Sequence, residues 1–272
     1  MPMNNQEMSI REVQLSCIDM VRAFDAFCRE NGITYYLSGG TMLGAIRHKG
    51  FIPWDDDVDI MMPRADYERL LSLDFRHEHF RFISLKNTPD YTRPWARLAD
   101  GRTEQASQVY FKGDNCAVFI DVMPIDGLPE SDFATKLHYM RMRFLDALNK
   151  GAKRNYIEEK ERWAFLKRLV MKLFGQKGAR KIAIRIDKIA AKRPFEGSAY
   201  RGVSVVSHYG VKEKLKAEVF DETIEVEFEG MQLMLFAGYE SYLKNIYGDY
   251  MQLPPEEKRV ITHRERYRWV DR

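Results

Sequence analysis

The feature that most constrains the fold is the stretch 35–62, which reads YYLSGGTMLGAIRHKGFIPWDDDVDIMM. Its β-branched and aromatic start predicts a short strand. Gly39 and Gly40 interrupt that strand, and Thr41 is predicted to cap a helix over 42–47. Glycines before a helix leave backbone N–H groups that can bind an anion. The pattern therefore fits a phosphate-binding turn and equally a plain tight turn.

An acidic run, DDDVD, follows at 55–59. If a strand runs over 58–62, Asp57 and Asp59 point to one face while the intervening apolar residues enter the core. Aspartate is disfavoured in strands and costly to desolvate, so two on one face need a compensating cation. Hard oxygen ligands predict Mg²⁺ or Mn²⁺. The alternative is a solvated acidic loop that caps the following helix.

A third carboxylate, Asp121, lies within the apolar run CAVFIDV at 116–122, which predicts another strand. The following MPIDG, 123–127, predicts a turn. Aspartates from two strands can hold two divalent ions, which stabilise both oxygens of an in-line phosphoryl displacement. We therefore predict that Asp57, Asp59 and Asp121 bind metal and are catalytic. Asp121 has an alternative role as a buried structural carboxylate bonded to the backbone.

Four segments resemble the LicD family, which also includes fukutin-related sugar-phosphate transferases and has a nucleotidyltransferase fold. They are GGTMLGAIRHKGFIPWDDDVDI (39–60), WARLADGRT (95–103), FIDVMPIDGLP (119–129) and YGDYMQLPPEEKR (247–259). These segments spread the resemblance over nearly the whole chain. The insertion RHKGFIPW between the glycines and the aspartates departs from ordinary nucleotidyltransferases and is shared by LicD-like proteins, which argues against nucleotidyl transfer.

The resemblance implies an α+β fold: a nucleotidyltransferase-like mixed sheet flanked by helices, with a largely helical basic insertion. We predict a catalytic core over 1–130 and a basic helical segment over 131–195. Strands and a tail over 196–272 would complete the core and the active site.

The implied activity is metal-dependent transfer of a phospho-alcohol, first of all phosphocholine from CDP-choline, onto a sugar hydroxyl. The acceptor would be a cell-surface glycan precursor such as teichoic acid or lipopolysaccharide, including lipid-linked forms. Alternatives are transfer of phosphoethanolamine, ribitol phosphate or glycerol phosphate, a nucleotidyltransferase that uses a nucleoside triphosphate, and a non-catalytic binding protein.

The predicted substrate-binding residues fall in these same motifs. Arg47 is expected to bind phosphate, and His48 either polarises phosphate or braces the loop. Arg97 and Asp100 form part of a nucleotide pocket in the resemblance, or an ordinary surface pair. The full set is Ser38, Gly39, Gly40, Thr41, Arg47, His48, Trp54, Asp55, Trp95, Arg97, Asp100, Lys258, Arg259 and His263.

Aromatic side chains are the expected ligands of a quaternary ammonium group. Trp54, Tyr91, Trp95 and Tyr209 are candidates, but aromatics make up 12% of the chain, so composition does not single out a cage. Trp54 is alternatively a hydrophobic plug. The tail that carries Lys258, Arg259 and His263 is alternatively a disordered polar segment.

The net charge of +3 conceals an asymmetry, because residues 136–193 hold 18 Lys and Arg against 5 Asp and Glu. Basic amphipathic helices here predict contact with an anionic membrane or a polyanionic acceptor; alternatively their apolar stripe packs on the core. No nucleic-acid-reading motif accompanies the charge, so no nucleic-acid partner is expected. Three scattered cysteines, and the absence of a signal-like segment or a run of about 20 apolar residues, predict a cytoplasmic protein, including the inner face of the membrane.

Overall fold

The computed structural model describes residues 7–106, 117–154, 157, 161–206, 208–260 and 266–270. Within them, seven strands form one mixed sheet, and the central strand is β6. This strand pairs in parallel with β2 and antiparallel with β4 and β7. In chain order the strands of this sheet are β1 (Tyr36–Leu37), β2 (Asp59–Pro63), β3 (Phe80–Ile83), β4 (Ala96–Asp100), β6 (Phe119–Leu128), β7 (Tyr200–Val203) and β8 (Leu215–Lys216).

Two smaller antiparallel pairs and six helices complete the described fold, and the predicted α+β class is confirmed. The pairs are β5 (Thr103–Gln105) with β11 (Tyr267–Trp269), and β9 (Thr223–Phe228) with β10 (Met231–Phe236). The helices are α1 (Ile10–Glu30), α2 (Gly39–His48), α3 (Arg64–Leu70), α4 (Asp132–Ala152), α5 (Ala164–Ala190) and α6 (Tyr239–Tyr247).

Helix α1 begins with a capping box, in which Ser9 and Glu12 satisfy backbone N–H groups of the first turn. Its apolar stripe packs into the main core, and this stripe buries Cys17 and Cys28 as free thiols that serve as packing residues. Among the helices of the described residues, none has the length and hydropathy that a membrane crossing requires.

Strand β6 is longer than its sequence predicts. The turn expected over 123–127 is wrong: Pro124 lies opposite Met62 of β2, and Ile125 lies opposite Val203 of β7. The Pro and Gly signals of this stretch are local, and pairing on both sides overrides them. The extension carries Asp126, which is fully buried, into the interior.

A buried ion-pair network stabilises this extension. The Arg64 guanidinium donates from Nε and Nη2 to the two carboxylate oxygens of Asp126, at 2.8 and 2.6 Å. Its Nη1 donates to Asp187 Oδ1 of α5 at 2.7 Å. Arg64 of α3 therefore joins the central strand to the long basic helix. Removing any one of the three charges would leave its partners without full compensation in a buried site.

We predict that Arg64→Met lowers the free energy of unfolding by about 3–5 kcal/mol, because it leaves the Asp126 carboxylate buried without its cation. Chemical denaturation measures this loss. The control is Arg22→Met, since Arg22 is exposed and pairs with Asp19 on the surface, and it should cost at most about 1 kcal/mol. Equal small losses in both variants would contradict a structural role for the network.

Candidate active site

Helix α2 and strand β2 are fixed to each other at the start of the acidic motif. The Thr41 hydroxyl accepts a hydrogen bond from the Asp59 backbone N–H at 2.9 Å, and the Ser38 N–H donates to the Asp59 carbonyl at 3.0 Å. The prediction that Thr41 caps a helix over 42–47 is wrong, because α2 already begins at Gly39 with Ser38 in the cap position. The Thr41 hydroxyl positions Asp59 instead.

Two carboxylates lie against the N-terminus of α2. A Cβ atom built on Gly39 would lie 3.4 Å from Asp59 Oδ2, and one built on Gly40 would lie 2.7 Å from Asp55 Oδ2. The two glycines thus allow carboxylates to approach a helix end whose dipole stabilises negative charge. The phosphate-binding role of Ser38, Gly39, Gly40 and Thr41 stays a prediction, and acidic side chains share this end of the helix.

A layer of tyrosines surrounds the same helix end. The Tyr242 hydroxyl lies 3.2 Å from Ser38 Oγ and accepts a hydrogen bond from the Gly39 N–H at 3.3 Å. The hydroxyls of Tyr209 and Tyr247 lie 2.8 Å apart, both within 4 Å of the built Gly39 Cβ. Burial raises the pKa of Tyr209 to about 12, so it stays protonated at neutral pH. Sequence reasoning missed Tyr242 and Tyr247, since α6 has the pattern of an ordinary amphipathic helix.

Asp57 and Asp121 line one cavity of about 360 Å³, together with Asp56. Cationic side chains line the same cavity, from the segment before β4, from β4 itself and from the C-terminal end of α4. Such a mixture of carboxylates and cations suits a polyphosphate ligand with a divalent cation. The cationic residues are Arg93, Arg97, Lys150 and Lys153, and the remaining lining residues are Val13, Val118, Phe119 and Tyr267.

Arg97 contacts one of the catalytic candidates directly. It lies opposite Asp121 in the β4–β6 register, and its Nε donates to Asp121 Oδ1 at 2.7 Å. The guanidinium lies 3.3 Å from the centre of the Phe119 ring. Ion pairing and ring stacking together hold Arg97 in one orientation, with its partner carboxylate facing the cavity.

The pairing of Arg97 with Asp100 that the sequence left open is wrong. The two residues are three positions apart on β4, so their side chains point to opposite faces. Asp100 is fully buried, accepts a hydrogen bond from Ser16 Oγ at 2.8 Å and pairs with Arg102 at 2.6 Å. It is a structural carboxylate, and its predicted contact with substrate is corrected.

The donor types fit a hard divalent cation, although the side chains do not form a closed cage. Asp57 and Asp121 line the same cavity, and Asp59 lies opposite Asp121 in the parallel register. Within the described residues, no three His, Cys, Asp or Glu side chains are arranged to hold a metal ion. Magnesium sites often use one or two carboxylates and take their other ligands from substrate phosphates and water. The three-aspartate metal site stays a prediction.

Arg47, in the last turn of α2, contacts the C-terminal part of the chain. Arg47 Nη1 donates to the carbonyl oxygens of Tyr250 and Gln252, at 2.9 and 3.3 Å. Burial and the neighbouring Arg47 charge lower the pKa of His48, which favours its neutral form. These contacts give Arg47 a structural role beside its predicted phosphate contact, and both roles predicted for His48 stay predictions.

The two tryptophans of the motifs are half-buried, and each lies beneath an arginine. The Arg259 guanidinium lies 5.9 Å from the Trp54 ring centre, and its Nε donates to the Pro254 carbonyl at 2.8 Å. Arg93 lies 5.6 Å from the Trp95 ring centre. The tail therefore returns to the acidic motif, as the resemblance implies.

Three further candidates complete the sequence-predicted set. Lys258 is exposed in a short 3₁₀ turn, and His263 lies outside the described residues. Tyr91 is completely buried in a small core with Ile83 and Ala99, so its candidacy for an ammonium cage is wrong.

The charged cavity residues that the sequence missed are Asp56, Arg93, Lys150 and Lys153. Both lysines belong to the basic segment, where their charge gave no sign of facing the aspartates. Lys153 is only 4% exposed, which is unusual for lysine and indicates a defined position within the protein. The sequence indicated only that Lys150 and Lys153 belong to the basic segment 136–193, not that they face the cavity.

A buried acid, Glu213, lies behind the tyrosine layer. Among the described residues, its Oε2 has no hydrogen-bond partner. Burial raises the pKa of Glu213 to about 8, so the folded protein keeps this carboxyl protonated at neutral pH. Its charge, when present, raises the pKa of the neighbouring Tyr242. The tyrosine that supports Ser38 and Gly39 is thus adjacent to a neutral acid.

We predict that Glu213 makes stability fall as pH rises from about 4.5 to about 8. Its pKa is raised in the folded state, so over this window the folded protein holds a proton that the unfolded chain releases. The expected slope from this residue is about 1.4 kcal/mol per pH unit, and Glu213→Gln should remove it. Denaturation at several pH values measures both proteins, with exposed Glu78→Gln as the control. An unchanged slope in Glu213→Gln would contradict a buried neutral acid.

Comparison with known proteins identifies the family to which this chain belongs. Residues 32–171 match the family described as LicD/FKTN/FKRP, nucleotidyltransferase domain. The chain is 34% identical over 270 residues to the lipopolysaccharide cholinephosphotransferase LicD of Haemophilus influenzae. The aligned region covers 95% of this chain and 97% of that protein. A stretch of 29 residues is 59% identical to the human ribitol 5-phosphate transferase FKRP, covering 11% of this chain and 6% of that protein. The predicted family is confirmed: this chain belongs to the LicD/FKTN/FKRP family.

Proposed function

We propose that this protein transfers phosphocholine from CDP-choline to a sugar hydroxyl of a cell-surface glycan precursor, lipopolysaccharide or teichoic acid. One observation carries the proposal: carboxylates and four cationic side chains line a single cavity that includes part of the acidic motif at 55–59. A diphosphate donor with a divalent cation needs both kinds of group. The full-length similarity to a lipopolysaccharide cholinephosphotransferase supports the choice of phosphocholine as the transferred group and of lipopolysaccharide as an acceptor.

The cationic side chains are the proposed phosphate ligands. Lys150 and Lys153 come from the end of α4, and Arg93 and Arg97 come from the segment that leads into and forms β4. Arg97 is already oriented by Asp121 and Phe119, so little side-chain entropy is lost when a phosphate binds. Asp57, Asp59 and Asp121 would hold Mg²⁺ or Mn²⁺, which would offset charge on the diphosphate and on the departing CMP.

The proposed reaction is an in-line displacement at the phosphorus that carries choline. The acceptor hydroxyl oxygen forms a bond to this phosphorus as the bond to the bridging oxygen breaks, and CMP leaves with that electron pair. Asp121 accepts the hydroxyl proton. The Arg97 Nε donates to Asp121 Oδ1 at 2.7 Å and holds this carboxylate turned toward the cavity.

We predict that Asp57→Asn and Asp121→Asn each lower CMP release from CDP-choline by about 10²-fold or more, because each removes a carboxylate that the displacement requires. Purified protein with Mg²⁺ is assayed against CDP-choline, CDP-ethanolamine, CDP-ribitol and CDP-glycerol. Asp74→Asn is the matched control, since Asp74 is exposed and outside the cavity. All three variants should remain folded by circular dichroism, and Asp121→Asn should unfold at a lower temperature because it removes the carboxylate that pairs with the buried Arg97.

The same assay separates the alternatives. Preference for CDP-ribitol would assign the activity of the FKRP-like relative, and pyrophosphate release from a nucleoside triphosphate would indicate a nucleotidyltransferase. Turnover that survives in both aspartate variants would contradict their roles, and absence of CMP release from every donor would favour a binding protein.

We predict that Lys153→Gln raises KM for the donor roughly tenfold or more with a smaller effect on kcat, because it removes one charged hydrogen bond to phosphate. The control is exposed Lys192→Gln, which changes the net charge equally. A change in kcat with KM unaltered would place Lys153 outside donor binding.

A further inference from the structure

Helix α4 presents an apolar stripe to solvent. Four large side chains on it are between 57% and 79% exposed, and their spacing of four, three and four residues places them on one face. The opposite face, which includes Tyr139 and Met142, is buried against the rest of the protein. Helices of this kind normally expose polar residues, so the stripe is a feature to be explained. It consists of Phe133, Leu137, Met140 and Phe144.

The first half of α5 presents a second exposed apolar surface. Phe165, Leu166, Leu169 and Leu173 are between 41% and 80% exposed, within an arc of about 100° at roughly 100° per residue. Gly175, with a φ of 54° and a ψ of −166°, interrupts the helix. The apolar residues after this break are buried. The alternative that the basic stripe packs on the core is therefore wrong for 164–174 and right for the second half of α5.

Basic residues flank both exposed stripes. Lys136 and Arg141 lie on either side of the α4 stripe, and Arg168 and Lys172 are exposed beside the α5 stripe. They belong to the segment 136–193, with 18 Lys and Arg against 5 Asp and Glu. A second copy of this chain would bring like charges together, so the charge favours an anionic occupant.

We infer that the exposed faces of α4 and of α5 up to Gly175 form a docking surface for a membrane that contains anionic lipids. Apolar side chains would enter the boundary between headgroups and acyl chains, while the flanking Lys and Arg would contact lipid phosphates. Neither element alone explains the surface: apolar residues do not require flanking cations, and a soluble anion does not require exposed phenylalanines.

This surface is connected to the cavity through α4. Phe144 lies six residues before Lys150, which is about 9 Å along the helix axis. Docking would thus hold the cavity close to the bilayer surface, where the sugar of a lipid-linked acceptor lies. This last step depends on the proposed function, whereas membrane binding itself does not.

Co-sedimentation of the full chain with vesicles tests the inference independently of any transfer assay. We predict binding to phosphatidylcholine vesicles that contain phosphatidylglycerol and much weaker binding to pure phosphatidylcholine vesicles. The double variant Leu137→Asp/Phe144→Asp should lower the partition coefficient about tenfold or more. Its control is Leu15→Asp, an equally apolar exposed position on α1. Arg141→Gln/Lys172→Gln should lower binding by roughly fivefold per residue, with Arg22→Gln as its control.

Circular dichroism and thermal unfolding establish that each variant folds. Loss of binding in the α4 and charge variants, with retention in both controls, supports the surface. Absence of wild-type binding to anionic vesicles, equal loss in Leu15→Asp, or a wild-type dimer that Leu137→Asp/Phe144→Asp converts to monomer in sedimentation velocity would each overturn it.

Discussion

The parallel pairing of β2 with β6 is the constraint on which the site depends. Asp59 lies opposite Asp121, and the Asp121 N–H donates to the Val58 carbonyl at 2.9 Å. The next pairs along the ladder are apolar, beginning with Ile60 opposite Val122. Because a shift of one residue would turn every side chain to the other face, burial of this apolar set also fixes where the carboxylates emerge. Core packing and site geometry therefore have the same cause.

The protein accommodates its buried carboxylates in different ways, and each has a different consequence. Asp126 is neutralised by Arg64 within the core, and Asp100 by Arg102. Asp121 is paired with Arg97 at the edge of a cavity, where both groups can contact a ligand. Glu213 avoids the cost of a buried charge by staying protonated. A carboxylate in an apolar stretch thus indicates that the residue has a specific role. Its partner determines whether that role is a structural ion pair, a contact at the cavity or a protonated buried acid.

Local patterns explain what the sequence predicted, and distant partners explain what it did not. The acidic motif and its apolar alternation lie within a few residues, so the sequence alone predicts them. Arg64 is 62 residues from Asp126, and no local rule connects them. The Pro and Gly residues of 123–127 predicted a turn for the same reason: their local preference is visible, while the pairing that overrides it is not. Lys153 reached the cavity through the length of α4, which periodicity alone does not orient.

Helix α4 illustrates why periodicity needs its tertiary context. An apolar stripe predicts that one face avoids water, but α4 has two such faces, one against the core and one exposed. Only the second requires a partner that the fold does not supply. The same helix ends in Lys150 and Lys153 at the cavity. Since a helix of this length is stiff, the exposed apolar surface and the proposed phosphate ligands at the end of α4 are held in fixed relation. A chemical site built from aspartates on a buried sheet is thereby linked, through one rigid element, to the environment in which its acceptor would be presented.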